Sequence, residues 1–296
     1  MALLVDAQNW IWRAAFAGRN LSSRGRPTGA LHVGLSMLAT LPDLFEPQRV
    51  VFLWDSRNSW RKKILPEYKA NRTGQSEERK AVYPQIDTFR EVLGHIGIFQ
   101  LEVDTLEADD LIGIFTTALV RTGRAVTIVS SDKDFFQLLA SPLVTQVRGW
   151  KGKKKLDKWD GDRVLKELHI PANKWAEYLA LVGDKVDNIP SVRRGMGPVT
   201  GVKLFQGAGI KSLPKDEYNT WERNLKVTRV LRSWEESGLP KQCLIRPHRS
   251  SAGWEQLEKI MTEYELTQLW GDRRKLWDVG GWSETSCKEV HEVYQL

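Results

Sequence analysis

The sequence has very little cysteine, which limits the kinds of site it can build. Only two of its 296 residues are cysteines, Cys243 and Cys287, and its five histidines are scattered without the spacing of metal ligands. A disulfide framework and a four-cysteine zinc site are therefore excluded. No apolar run approaches the roughly 18 residues of a membrane span, and the first residues lack the basic segment of a secretory signal. We therefore expect a cytoplasmic chain without a membrane partner.

The charged residues are distributed unevenly. The chain carries 44 basic and 37 acidic residues, a net charge of +7, which favours a polyanionic partner. Nine of the acids occur in short clusters: Asp6, Asp55, Glu107, Asp109, Asp110, Asp132, Asp134, Asp184 and Asp187. Setting these nine aside makes the rest of the chain more strongly basic. A basic surface around an acidic pocket is typical of a metal-dependent nuclease.

Three short apolar runs predict strands that are buried on both faces and therefore parallel. They lie at Leu3–Val5, Val50–Trp54 and Ala125–Ser130. Between the last two, apolar residues at helical spacing predict a helix over 111–119 that stops before Gly123. This alternation predicts an α/β sheet with crossover helices.

The second half of the chain has a different pattern. An apolar stretch at 143–147, followed by the basic segment 151–158, predicts a strand that leads into a lysine-rich hairpin or loop. From about Pro171 onward helical patterns replace the strands, beginning with an apolar stripe over 175–182. We expect this half to be mainly helical.

Four acids follow the predicted strands directly. Asp6 follows the first strand, Asp55 the second, and Asp132 and Asp134 the third. A single acid in such a place is more often a helix cap or a turn residue. Four of them at the carboxyl edge of one parallel sheet, where α/β proteins bind ligands, indicate a functional site.

Three acids open the helix predicted over 111–119. Extending its apolar stripe backwards by one turn from Leu111 and Ile114 places Glu107 and Asp110 toward the sheet. Asp109 falls on the solvated side, where an acid simply complements the helix dipole. Two carboxylates that face the core need a cation or a proton as compensation.

Asp184 and Asp187 fall on one face of a turn, where a capping role is an equal alternative. With the seven other acids they would form an oxygen-only cluster, which hard cations such as Mg²⁺ select and which Mn²⁺ can also occupy. The cluster has more carboxylates than one ion uses. We therefore expect two ions, about 3.5–4 Å apart, as in metal-assisted phosphodiester hydrolysis.

The order of these motifs identifies a family resemblance. An aspartate after the first strand, WD followed by basic residues, EADD, SSDKDFFQL, GDKVDNIP and GMGPVTG occur in this order. The chain resembles the flap endonuclease family, in particular bacteriophage 5′–3′ exonucleases and the 5′-nuclease domain of bacterial DNA polymerase I, over about residues 3–231. The resemblance implies a PIN-like parallel-sheet core. It also implies that Asp6, Asp55, Glu107, Asp109, Asp110, Asp132 and Asp134 hold or position metal, and that Asp184 and Asp187 complete the second site.

A basic segment lies between Asp55 and Glu107. By itself such a run most often forms a solvated charged face. The resemblance implies an arch over about residues 57–90, in which PEYKANR places Lys69 and Arg72 on the scissile phosphate and stacks Tyr68 on a base. The basic residues before this motif are expected to bind DNA: Arg57, Arg61, Lys62 and Lys63.

A glycine-rich turn at 195–201 precedes a short helical pattern. Gly195 and Gly197 would let backbone amides approach a phosphate at the helix start. By resemblance this is the helix–three-turn–helix that grips duplex DNA and can carry K⁺. Val199 and Gly201 stand where the motif commonly has lysine and alanine, so we assign the missing charge to Lys203.

The sequence therefore predicts a nuclease core at 1–167 and a helical DNA-binding region at 168–296. The expected activity is structure-specific 5′–3′ exonuclease and flap endonuclease cleavage in phage replication or recombination. The expected partners are duplex DNA with 5′ ends, flaps or nicks, and RNA–DNA hybrid. Two alternatives remain: a PIN-type RNase, and a non-catalytic binder of branched DNA.

Overall fold

The computed structural model describes residues 1–45, 49–72, 77–151, 155–239 and 251–266, together with 269, 271, 274–276 and 279. Its strands are β1 (Ala2–Asp6), β2 (Ser22–Ser23), β3 (Arg26–Pro27), β4 (Arg49–Trp54), β5 (Phe99–Glu102), β6 (Val126–Val129), β7 (Val144–Lys151) and β8 (Lys155–Trp159). Its helices are α1 (Ala7–Ala17), α2 (Gly29–Leu44), α3 (Glu77–Lys80), α4 (Tyr83–His95), α5 (Ala108–Arg121), α6 (Gly161–Leu168), α7 (Trp175–Val182), α8 (Pro198–Gln206), α9 (Lys215–Thr228), α10 (Trp234–Ser237) and α11 (Ser251–Glu263).

Six strands form one sheet in the order β5-β4-β1-β6-β7-β8. All pairs are parallel except β7 with β8. The three strands predicted as buried and parallel are β1, β4 and β6, and every residue in them is buried. The sheet therefore confirms the α/β prediction and places the ends of β1, β4 and β6 side by side.

Helices cover both faces of the sheet. One face packs against α5 and α7, and the other packs against α1, α2 and α4. Helix α11 joins the second face through Leu257 and Met261, and the Tyr264 hydroxyl lies 3.0 Å from that of Thr88 on α4. Within the described part of the chain, no helix is long and apolar enough to cross a membrane.

The helical predictions that flank the site are confirmed. Helix α5 ends at Arg121, before Gly123, and α7 ends at Val182, where Gly183 has a φ of 73°. Strand β7 covers 144–147 of the predicted run and pairs with β8.

The described part of the segment expected to arch over the site has only short helical elements before α4. They are the 3₁₀ turns Trp60–Lys63 and Ala70–Arg72 and the four-residue α3. Several predicted features lie outside the described residues: 73–76 of the arch, 152–154 of the hairpin, both cysteines, and most of the chain after 266. The division at 167/168 stays a prediction.

Candidate active site

The ends of β1 and β6 bring Asp6 and Asp132 together. Asp6 caps α1 and accepts a hydrogen bond from Asn9 N at 3.0 Å. The Ser130 hydroxyl donates to Asp6 Oδ2 at 2.9 Å and accepts from Asp132 N at 3.1 Å. Gln146 of β7 donates to the Ser130 carbonyl at 2.8 Å. One serine hydroxyl therefore fixes the position of two predicted metal ligands relative to each other.

Neither Ser130 nor Gln146 was predicted from the sequence. A serine next to an aspartate is common in turns, and a glutamine in a strand gives no signal of a partner on the neighbouring strand.

Asp55 follows β4 and accepts a hydrogen bond from Ala108 N, at the start of α5, at 2.8 Å. Glu107 caps the same helix and is only 4% exposed. Its carboxylate accepts from Tyr68 Oη and from Lys69 Nζ, each at 2.8 Å. Burial opposes ionisation, but the charges of Arg61 and Lys69 prevail and lower the pKa of Glu107 to about 2. Glu107 is thus a permanent anion between the helix and the basic segment.

Asp110 is paired with a guanidinium inside the protein. It is fully buried and receives Arg61 Nη1 at 2.7 Å and Nη2 at 2.8 Å. Its oxygens also accept Trp60 Nε1 at 3.0 Å and Leu231 N at 3.2 Å. The prediction that Asp110 faces the core is confirmed, but the cation that compensates it is a guanidinium. A part for Asp110 in positioning metal stays a prediction.

The same contacts correct the prediction for Arg61. Its side chain is 3% exposed, and it also donates to the carbonyls of Val227 at 2.8 Å and Arg229 at 3.3 Å. A guanidinium held by five acceptors inside the protein cannot reach DNA. The other three residues predicted with it, Arg57, Lys62 and Lys63, are exposed, and their DNA contact stays a prediction.

Tyr68 is also placed differently from the prediction. It is 3% exposed, and its hydroxyl contacts Glu107 and lies 3.2 Å from Asp187 Oδ2. Burial raises the pKa of the phenol, which keeps it protonated as a donor. In this position the ring cannot stack on a base. The sequence motif does not show whether a tyrosine is exposed or buried. It therefore could not distinguish a ring that stacks on a base from a buried hydroxyl that binds Glu107.

Lys69 and Arg72 lie at the acidic edge, as the sequence predicts. Lys69 Nζ is 2.8 Å from Glu107 Oε1 and 3.9 Å from Asp187 Oδ2, and Arg72 forms an ion pair with Asp187. The Lys69 backbone has a φ of 55° and donates to the Asp187 carbonyl at 2.9 Å. The turn that carries Asp187 is therefore bound to the basic segment by both backbone and side chains.

Asp184 and Asp134 complete the cluster. Asp184 accepts Val186 N at 2.8 Å through Oδ1 and contacts Lys133 Nζ at 3.1 Å through Oδ2. Asp134 Oδ1 is buried and has no hydrogen-bond partner within the described part of the chain. Lys133, which lies between two predicted metal residues, was not predicted to have a role.

Three carboxyls of the cluster have raised pKa values, because burial and neighbouring acids disfavour their charged forms. Burial and the nearby Asp55 raise the pKa of Asp6 to about 7. Burial and Asp132 raise the pKa values of Asp109 and Asp134 well above the usual range. Asp109 is partly exposed, and the charges of Asp132 and Asp6 act on it.

This environment fits divalent cations. The donors are all oxygens, the carboxyls repel one another, and a buried oxygen of Asp134 lacks a partner. Among the described residues, no three acidic, histidine or cysteine groups form a ready-made metal site. An ion that keeps several of its waters, as Mg²⁺ does, requires only one or two direct carboxylates.

Replacing Asp134 with asparagine is expected to stabilise the metal-free protein, because it removes a buried charge close to Asp132, Asp187 and Asp184. The Tm in EDTA should rise by roughly 2–4 °C for each 1 kcal/mol gained. Mg²⁺ should raise the Tm of the wild type more than that of the variant. A variant that melts below the wild type in EDTA would show that the Asp134 charge is already compensated.

The glycine turn has the backbone that its sequence predicts. Gly195 has a φ of 81°, and Gly197 caps α8 with Pro198 in the first turn. A Cβ at Gly201 would collide with the Val182 side chain of α7, so close helix packing explains the absence of a larger residue there. Val199 is 71% exposed, and Lys203 is exposed on the same helix.

The fold and the acidic edge define an α/β protein whose carboxylates line the carboxyl ends of parallel strands. The family model described as 5′–3′ exonuclease, N-terminal resolvase-like domain, matches residues 1–169, more than half of the chain. The protein therefore belongs to the 5′–3′ exonuclease family.

Individual relatives agree with this assignment. The chain is similar to the 5′–3′ exonuclease of Aquifex aeolicus, with 31% identity over 79% of this chain and 73% of that protein. DNA polymerase I of Streptococcus pneumoniae is 32% identical over 69% of this chain, but the chain spans only 23% of the polymerase. A structure of bacteriophage T5 flap endonuclease with DNA and metal ions gives a TM-score of 0.63 at 18% identity, covering 95% of this chain and 99% of that one. At that identity the last similarity shows the fold alone.

Proposed function

We propose that this protein is a divalent-metal-dependent 5′–3′ exonuclease and flap endonuclease that hydrolyses DNA phosphodiesters. The observation that carries the proposal is the juxtaposition of acids and bases at one sheet edge. Carboxyls with raised pKa values, Asp6, Asp109 and Asp134, belong to the same edge as Glu107 and Asp187, which pair with the ammonium of Lys69 and the guanidinium of Arg72. A phosphodiester needs both kinds of group, because the acids hold cations and the bases bind its oxygens.

The proposed cofactor is a pair of Mg²⁺ ions, with Mn²⁺ as a substitute. The first ion would be held or positioned, directly or through its waters, by Asp6, Asp55, Glu107, Asp109, Asp110, Asp132 and Asp134, and Asp184 and Asp187 would complete the second site. When bound, these ions would supply Lewis-acid activation of water and of the phosphodiester. A K⁺ ion at the 195–201 turn stays a prediction.

The protein side chains would then orient the substrate. Lys69 and Arg72 bind the non-bridging oxygens of the reacting phosphate, which neutralises charge that increases in the transition state. Tyr68 and Arg61 keep Glu107 in place and do not touch DNA. Ser130 keeps Asp6 and Asp132 in register on neighbouring strands. No side chain of the cluster is required as a covalent nucleophile.

The proposed substrates are duplex DNA with 5′ ends, flaps or nicks, and RNA–DNA hybrids. The T5 enzyme is called a flap endonuclease, and the Aquifex relative a 5′–3′ exonuclease. Because the relatives by sequence are bacterial proteins, the bacteriophage origin suggested by the sequence stays a prediction. The polymerase activity of DNA polymerase I is not part of the proposal.

Cleavage is expected to begin at 5′ ends and to require a free terminus. With Mg²⁺, a duplex labelled at its 5′ ends should release short labelled products, and a closed circular duplex should remain intact. The matched control uses duplexes with streptavidin bound either to both 5′ ends or to both 3′ ends, and only the 5′ block should prevent digestion. Digestion that continues past 5′ blocks but stops at 3′ blocks would contradict the polarity. Cleavage of RNA alone would favour the PIN-type RNase instead.

Lys203 is expected to contact duplex backbone without reading bases. The Lys203→Ala variant should bind all sequences more weakly and lower the slope of log affinity against log salt by about one unit. The cleavage rate at saturating DNA should be unchanged, because Lys203 lies on α8 and not among the carboxylates. An unchanged salt slope would show that this lysine does not supply the missing charge of the turn.

A further inference from the structure

Lys133 pairs with one carboxylate at the acidic edge and remains partly exposed to solvent. Its Nζ lies 3.1 Å from Asp184 Oδ2. The Lys133 side chain is 43% exposed, whereas that of Asp184 is 10% exposed. The ammonium therefore reaches the acid from the solvent side, on a flexible four-carbon stem that can turn away.

Both oxygens of Asp184 have a partner in this structure. Its Oδ1 accepts the backbone amide of Val186 at 2.8 Å, which leaves Oδ2 as the oxygen that a further cation would use. That oxygen is the one that Lys133 occupies. A divalent ion on that oxygen would repel the ammonium and weaken its contact with Asp184.

The displaced ammonium would remain at the site of reaction. Lys133 lies between Asp132 and Asp134 in the 3₁₀ helix Lys133–Leu138, at the edge where the proposed function places the scissile phosphate. The nearby Lys69 and Arg72 have the same arrangement, since each is paired with a carboxylate. A phosphate is the anion that a DNA substrate brings to this edge.

We propose that Lys133 is an exchangeable counterion, which neutralises Asp184 until a divalent cation takes that oxygen and then binds a phosphate of the DNA. The inference rests on the proposed function. It makes metal binding and DNA binding reciprocal: the metal frees the lysine for DNA, and DNA keeps the lysine away from the metal site.

The test compares Lys133→Met with Lys174→Met. Lys174 is a matched control, because its side chain is 46% exposed and pairs with Glu177 at 2.6 Å, away from the carboxylate cluster. Calorimetric titration of the DNA-free proteins with Mn²⁺ should show tighter binding to Lys133→Met, by about two- to fivefold, the range for an exposed ion pair. Lys174→Met should bind Mn²⁺ like the wild type. Circular dichroism melts would confirm that both variants fold.

The second measurement is the salt dependence of DNA binding, on a duplex with hydrolysis-resistant linkages at its 5′ ends. In Mg²⁺ the slope for Lys133→Met should be lower than that of the wild type by about one. In EDTA the two slopes should agree, because the lysine is then bound to Asp184. The control should show no difference between the two buffers.

Four results would overturn the inference. Tighter Mn²⁺ binding with an unchanged slope in Mg²⁺ would make Lys133 a bystander charge. A lower slope in both buffers would make it a permanent DNA contact. Weaker Mn²⁺ binding would mean that it helps to build the metal site. Failure of the wild type to bind either metal or DNA would instead contradict the proposed function itself. If the wild type binds both and Lys133→Met behaves like Lys174→Met, only the role of Lys133 fails.

Discussion

Asp110→Asn is expected to lower the free energy of unfolding by about 3–5 kcal/mol, the cost of removing one partner from a buried ion pair. The amide cannot accept both nitrogens of Arg61, so the guanidinium would keep its charge inside the protein without its main counterion. The bonds from Trp60 Nε1 and Leu231 N would also be weakened. Urea unfolding of the metal-free protein measures the change.

The control for this prediction is the residue next to it. Asp109 has the same chemistry one position earlier, but burial and Asp132 raise its pKa, so its charge is uncompensated. Asp109→Asn should therefore stabilise the metal-free protein while Asp110→Asn destabilises it. If both variants change the free energy of unfolding by the same sign and size, the two carboxyls have equivalent environments. That result would contradict the structure.

Lys69→Met is expected to reduce the single-turnover cleavage rate by roughly 10²–10³, about 2.7–4 kcal/mol, the range for loss of one preorganised charge contact in a transition state. The lysine is preorganised because Glu107 and Asp187 hold its ammonium at the acidic edge, with only 16% of its side chain exposed. Burial opposes its charge, but these acids raise the pKa of Lys69 above its usual value. It therefore stays cationic at neutral pH. DNA affinity should change much less than the rate.

The matched control is Lys62→Met, in the same segment but exposed. An exposed DNA contact should lose affinity and salt dependence, and its rate at saturating DNA should stay the same. Equal losses of rate and affinity in Lys69→Met would make Lys69 an ordinary backbone contact.

The sheet and its acidic edge could be predicted because they depend on local patterns. The apolar runs of β1 and β4 lead directly into Asp6, the last residue of β1, and Asp55, the first residue after β4, so both acids could be placed at the carboxyl edge of the sheet. Strand β5 escaped prediction because FQLE is short and lies at the edge of the sheet, where burial alternates with exposure.

The roles of individual charges could not be predicted in the same way. Helical spacing showed that Asp110 faces inward, but its partner Arg61 lies 49 residues away in a 3₁₀ turn. The direction of the Asp110 carboxylate could therefore be predicted, but the cation that pairs with it could not. The partner of Lys133 could not be predicted either. Its neighbours in sequence are acids, but its ion pair is with Asp184 in another motif.

The environment of Arg61 has a consequence for how this protein can be divided or recombined. The last turn of α9 and the residues after it supply the Val227 and Arg229 carbonyls to Arg61 and the Leu231 amide to Asp110. A fragment that ends before residue 227 would leave both buried charges short of partners. The nuclease half and the helical half are thus not interchangeable modules, and a chimera of two relatives should inherit this segment from the parent that provides Arg61 and Asp110.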